Sequence, residues 1–279
     1  MLQPTPASLD SHIRKYERAK EHFEAMRSEV VAFLKPSRPC DLVVQFDGES
    51  HEYVVRAQVL RQPPIRLSLI VGDCLHNARS ALDHLVWQLI FKHSGKDATR
   101  CEFPIFCDRD DYLLGPLQPA QGKAASHRRN PGGRKITGVD PRVKAIIERL
   151  QPYNRTDGPA DLHPLYLLHN LDNRDKHRVL NLAITTVRPQ GLNLSNLVNV
   201  RHRVLSQATG ALEDGTEFAR FKLERADDAI PGKVYLNTNL ESEITFDKEG
   251  PGRGLPVADV LDGIMQSVSD VFVALEPFW

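Results

Sequence analysis

Apolar residues recur at helical spacing through residues 65–93, and the chain is arranged around this stretch. It reads IRLSLIVGDCLHNARSALDHLVWQLIFKH, with no internal proline and a single glycine. About eight turns fit into it at ~3.6 residues per turn. Wound as a helix, it places Leu67, Val71, Leu75, Ala78, Leu82, Leu85, Val86 and Leu89 on one broad face, as a core-facing helix does. On the opposite face Asp73, Asn77, Ser80 and His84 fall within about 60° of one another, at ~100° per residue. His76 flanks them, and Trp87 and Phe91 continue the line. Solvated helix faces favour Lys, Glu and Arg, whereas Asp, Asn, Ser and His are poor helix formers. The second face is therefore expected to be covered, with its polar groups partnered as a buried network or lining a functional pocket.

Other patterns supply the remaining elements. Ser8 or Asp10 is placed to cap a first helix to about Phe33, with Ile13, Tyr16, Phe23, Met26, Val30 and Phe33 at helical spacing and Pro36 beyond it. Two β-rich runs flank Asp47-Gly48 and predict a hairpin within 41–60. After CEFPIFC, the segment 108–138 lacks apolar periodicity and reads as a flexible basic loop with Lys123, His127, Arg128, Arg129, Arg134 and Lys135. Within 139–177, Asp140-Pro141 opens one short helix and Asp161 is expected to cap another, with Leu162, Leu165, Leu168 and Leu171 in step.

The period then switches to two. Strands are expected at Val179–Thr186, Val198–Leu205, Glu217–Leu223, Val234–Asn237 and Glu243–Phe246, as a meander across 178–247. An amphipathic helix over 256–276 closes the chain. Helices and strands are segregated, which predicts an α+β fold. A helical core built on the long helix (with 1–95 as helix, hairpin and long helix) would pack with an antiparallel sheet made of the N-terminal hairpin and the C-terminal meander. The whole of 1–279 is expected to be one domain.

Composition adds bounds. Thirty-six basic residues balance thirty-six acidic ones, so no global charge steers the protein to nucleic acid or an anionic membrane. The four cysteines have no CxxC or zinc-ribbon spacing and read as reduced thiols. The first residues lack the apolar core of a secretory signal, and no apolar run is long enough to span a bilayer. These features predict a cytoplasmic protein with no membrane partner.

The unusual polar residues concentrate in GDCLHNARSALDHLVW (72–87) and HNLDNRDKHR (169–178). The two motifs resemble a widespread, poorly characterised group of bacterial proteins with a GDxLHNxRSALDHLxW helix and a later NxDKHR signature. FPIF at 103–106 and QPY at 151–153 extend the resemblance over most of the chain. Arg79-Ser-Ala-Leu-Asp-His84 also resembles the Arg-x4-His motif of HEPN-type helical ribonucleases, with Ser80 and Val86-Trp87 partly echoing their flanks.

That second resemblance implies a metal-independent endoribonuclease, of the kind used in toxin or phage-defence systems, acting on RNA as a homodimer and needing no cofactor. His84 would move protons and Arg79 would clamp the phosphate, which suits a side chain that titrates near neutrality and one that is always charged. Asp73, His76, Asn77, Ser80, Asn173, Asp175, Lys176 and His177 would bind or support substrate. On a regular helix, however, Arg79 and His84 point about 140° apart. Two other readings remain open: a non-catalytic protein that binds a small ligand or a protein partner in the same pocket, and a metal-dependent hydrolase using Asp73, His76, His84, Asp172, Asp175 or His177. Arg79 and Asp83, four residues apart, could instead form a simple surface ion pair. No G-x-S-x-G elbow, Walker loop or kinase signature is present.

Overall fold

A computed structural model describes residues 10–35, 38–115, 131–187, 202–207, 214–223, 241–247 and 249–279. The strand expected at Val234–Asn237 and four residues of the basic cluster, Lys123, His127, Arg128 and Arg129, lie outside them. The fold is α+β. It divides into two compact units, one of Met1–Arg27, Arg66–Leu180 and Lys248–Trp279, the other of Ser28–Ile65 and Asn181–Asp247.

The first unit is helical. Helix α1 runs Ser11–Leu34, crossing the division between the units, and α2 runs Ile65–Ser94, matching the expected long helix to within a residue. The predicted apolar stripe of α2, from Leu67 to Leu89, is buried. Short helices follow at α3 (Arg109–Leu114), α4 (Gly132–Lys135) and α5 (Pro141–Arg149), then α6 (Pro164–Asp175). The last α-helix, α7 (Val257–Leu275), packs on α6 and α5 and buries Leu261, Ile264 and Val268. Helix α1 is tied to its neighbours by Cys74 Sγ on Ala19 O at 3.4 Å and Tyr16 OH on Met265 O at 3.0 Å.

The segment 108–138 departs from the flexible loop expected of it. Its described residues carry α3, capped by Asp108 Oδ1 accepting from Asp111 N, and α4. Tyr112 and Ile136 are buried, and Gly132 lies flat against the Tyr112 ring, where a Cβ would collide. The anchors are isolated, so no periodic pattern announced them. The α6 cap also differs. His163, not Asp161, caps the helix, its Nδ1 accepting from Leu165 N at 3.1 Å, while Asp161 sits in a 3-10 turn at Ala160–Leu162.

The second unit holds the strands β1 (Cys40–Asp47), β2 (Glu52–Val59), β3 (Leu182–Val187), β4 (His202–Gln207), β5 (Glu217–Leu223) and β6 (Glu241–Phe246). The β1–β2 hairpin turns where expected, with Asp47 accepting from Glu49 N and Ser50 Oγ. It does join later strands: the order is β1-β2-β5-β4, all antiparallel. The expected continuous meander is corrected, because β3 leaves its neighbour in sequence and pairs with β6 in a separate two-stranded sheet. Leu42, Tyr53, Val55, Phe218 and Phe221 form the core of the larger sheet, with Tyr53 stacked on Phe221 at 5.2 Å. Alternation puts Leu42, Tyr53, Val55 and Phe221 on one face of the pleat, and Phe218, out of phase with Phe221, sits at the register shift opposite Val55/Arg56.

Candidate functional site

Helix α2 presents two polar strips, one residue out of phase. Gly72, His76, Arg79 and Asp83 follow one line, and Asp73, Asn77, Ser80 and His84 the next. They serve different neighbours.

The first strip faces α6 and the 102–103 segment. Arg79 is only 4% exposed. Its Nη2 donates to Phe103 O at 2.8 Å and lies 3.0 Å from Asp83 Oδ1 and 3.5 Å from Glu102 Oε2. Asp83 Oδ1 also accepts from Phe103 N at 2.9 Å, so the Arg79–Asp83 pair grips both sides of one backbone residue. Lys135 Nζ closes the row on Glu102 Oε1 at 2.5 Å. Burial alone would raise the Glu102 carboxyl, but the bond from Lys135 and the charge of Arg79 outweigh it and hold it below the usual range. The Arg79–Asp83 surface pair considered from sequence is therefore a buried clamp.

One turn further along, Asp172 of α6 is 2% exposed. Its Oδ2 takes Lys176 Nζ at 2.6 Å, while His76 Nδ1 stands 3.5 Å from Oδ1. Oδ1 of Asp172 and Nη1 of Arg79 are both buried with no hydrogen-bond partner among the described residues. His169 lies between these charges. Burial first, then Arg79 and Lys135, push its imidazole down to about 4, so it is neutral at physiological pH. Its Nε2 is 3.1 Å from Asn173 Nδ2, from which it accepts in the tautomer protonated on Nδ1.

Asp175 presses against Gly72: a Cβ there would stand 2.5 Å from Asp175 Oδ2. This close approach explains the one glycine in the long helix. Burial, then the nearby carboxylates Asp172 and Asp73, raise the Asp175 carboxyl.

The second strip faces α1. Asn77 Oδ1 accepts from Lys15 Nζ at 3.2 Å, and its Nδ2 donates to Asp73 O at 2.8 Å. Asp73 is exposed and Ser80 half-buried. His84 opens into a cavity of about 430 Å³ with Asp83, Trp87, Ala98, Thr99 and Cys101, and Ser11 of α1 completes the wall. Burial, then the Lys15 charge, lower the His84 pKa, so the ring is neutral at physiological pH. Neither ring nitrogen of His84 has a hydrogen-bond partner among the described residues, and neither does Asp83 Oδ2. Burial, partly offset by Arg79, raises the Asp83 carboxyl. Trp87 is held by Nε1 donating to Asp97 Oδ1 at 2.9 Å and by stacking on Phe91 at 5.6 Å.

The two sequence motifs do meet, through His76 with Asp172 and through Gly72 with Asp175, while Lys176 holds Asp172 from within the second motif. His177 is exposed, and among the described residues its bond is that of its backbone N to Arg174 O. Asn173 holds His169 rather than reaching α2. Arg79 and His84 fall on different strips with different partners, and the cation that acts on His84 is Lys15. The candidate site residues did not include His169, Glu102, Lys135 or Lys15, although His169 opens the 169–178 motif and Lys135 belongs to the basic cluster. A helical-wheel reading of 165–176 would have placed His169 beside the leucine stripe, but nothing local marks Lys15 or Glu102. Among the described residues no group of three or more His, Cys, Asp or Glu side chains is placed to hold a metal ion. No described helix is long and apolar enough to cross a membrane.

No protein-family model, curated protein or solved structure matches the chain.

Proposed function

We propose that this protein works through the Asp83–His84–Trp87 cavity, as a receptor for a small planar ligand that carries an N–H or O–H donor. One observation carries the reading: a neutral imidazole and a free carboxylate oxygen stand unpartnered beside a fixed indole in one cavity. Both side chains are only partly buried, so a ligand that matches their hydrogen-bonding groups would displace water from them. Asp83 Oδ2 would accept from the ligand and His84 would donate or accept, while the indole offers an apolar wall. The cavity's volume, about 430 Å³, is in the range of sites for such molecules.

The chain has two tryptophans, so Trp279→Phe leaves Trp87 as the sole indole reporter. Titration with a panel of planar heteroaromatics, nucleosides included, should change its fluorescence saturably, and His84→Leu should abolish the change. A panel with no saturable member, or one bound equally by His84→Leu, would remove this reading.

Ribonuclease action is the second reading, favoured by the same neutral, unpartnered His84, which suits acid–base work near neutrality. In that case Lys15 rather than the buried Arg79 would meet the phosphate, and pairing of two chains would bring two such sites together. RNA cleavage in excess EDTA that disappears in both His84→Ala and Lys15→Ala would support it. Absence of cleavage by the wild type would dismiss it.

A further inference from the structure

We infer that the first unit carries a second binding site, for a small oxyanion (a carboxylate or phosphate group), in the cavity where the end of α5, the 152–157 turn, the start of α6 and α7 meet. The cavity measures about 440 Å³, and Arg149, Asn154, Arg155, Thr156, His163 and Ser267 supply its polar lining. It shares no residue with the Asp83–His84–Trp87 cavity, so the inference stands whether or not that reading holds.

Two side chains are fixed as donors. The Arg155 side chain is 20% exposed, and its Nε is held on Asp157 Oδ1 at 2.8 Å. Its guanidinium lies over Gly158, where a Cβ would stand 3.4 Å from Cζ. Nη1 of the same guanidinium is buried and has no hydrogen-bond partner among the described residues. Nη1 itself is closed off, while a fifth of the side chain remains exposed, so the rest of the fork is what an oxyanion in the cavity would meet.

His163 is fixed by its place in the chain. Its Nδ1 accepts from Leu165 N at 3.1 Å as the α6 cap, which requires the neutral ring's proton to sit on Nε2. Burial, then the Arg155 charge, lower the pKa of this imidazole, so the neutral form persists at physiological pH. Nε2–H is thus a positioned donor near Arg155. The backbone at the start of α6 adds none: Pro164 has no N–H, Leu165 N–H is taken by His163, and Tyr166 N–H donates to His163 O at 2.9 Å. The site is built from side chains.

Two carboxylates also line the cavity, and both are engaged. Asp157 is the Arg155 anchor, and Asp270 Oδ1 accepts from Gln266 Nε2 at 2.8 Å. Asp157 offsets the Arg155 charge and the amide bond leaves that of Asp270 in place, so an anion would be held by the directed donors of Arg149, Arg155 and His163 rather than by net positive charge.

The test is calorimetric titration of the full chain with inorganic phosphate and, separately, malonate. The variants are Arg155→Gln and His163→Asn; asparagine is itself a good cap, so the second removes the Nε2 donor and keeps the start of α6. Arg142→Gln, on the exposed side of α5, is the control. One saturable site per chain is expected, weakened roughly tenfold or more in each variant and unchanged in the control. Binding of phosphate alone would assign a phosphate-bearing ligand, and binding of malonate alone a carboxylate. No saturable binding of either anion, or binding that survives both variants, overturns the inference.

Discussion

Replacing His169 by glutamine should flatten the acid side of the stability profile. The folded chain holds this imidazole at about 4, against a usual 6.5, because it is buried beside Arg79 and Lys135. As pH falls below 6.5 the unfolded chain takes up a proton that the folded chain refuses. The group's contribution is therefore fully present above pH 6.5 and is lost as pH falls toward 4. A difference of about 2.5 units at ~1.36 kcal/mol each gives a ceiling of about 3.4 kcal/mol. At pH 5.0 the same two-state arithmetic gives about 2 kcal/mol, already a large share of an ordinary domain's stability. Urea unfolding of wild type and His169→Gln at pH 7.5 and 5.0 measures it. His84 and His163 shift in the same direction and remain in both proteins, so the difference between the two profiles isolates His169. Glutamine keeps an amide that can meet Asn173 without titrating. If the variant loses as much stability as wild type between the two pH values, His169 is not held neutral by its surroundings, and the charge arrangement around Arg79 is wrong.

Three further outcomes follow from the same contacts. Arg79→Ala should lower stability by about 3 kcal/mol in urea unfolding, since it leaves Asp83, Glu102 and the Phe103 carbonyl without their shared cation. A loss near zero would mean the clamp on 102–103 is ornamental. Gly72→Ala should destabilise despite alanine's better helix propensity, because the new Cβ meets the Asp175 carboxyl. In an Asp175→Ala background the same change should become neutral or stabilising, and a cost that persists there would refute the contact as its cause. The raised carboxyl of Asp175 favours folding below the usual carboxylate range and opposes it once pH has risen past its folded pKa. Asp175→Asn should therefore raise the thermal midpoint at pH 7 relative to wild type and lose that advantage in acid; a lower midpoint at pH 7 would contradict this.

Much of the architecture is a local property and could be read from residue order. The α2 helix, its apolar stripe from Leu67 to Leu89, the Asp47-Gly48 hairpin and strand β5 at Glu217–Leu223 each announce themselves through a period or a turn residue within a few positions. The expectation that the face of Asp73, Asn77, Ser80 and His84 would be covered rested on their poor fit to water. It holds only in part: Asp73 and the flanking His76 are exposed and Asn77, Ser80 and His84 half-buried, while the deep burial falls on Arg79 of the neighbouring strip.

Tertiary structure decided the partners. The strips at 72/76/79/83 and 73/77/80/84 differ by one residue and look alike on a helical wheel, so only the packing of α6 on one and α1 on the other separates Arg79 from His84. Arg79 becomes a clamp because Phe103 and Glu102 return to it more than twenty residues later, and Asp172 is buried although it reads in sequence as half of an i,i+4 pair with Lys176. The β3–β6 pairing skips β4 and β5, a choice settled by long-range closure rather than strand propensity. Periodicity records which face of an element is apolar. It carries no information about which distant residue arrives at the other face, and the chemistry of this chain depends on those arrivals.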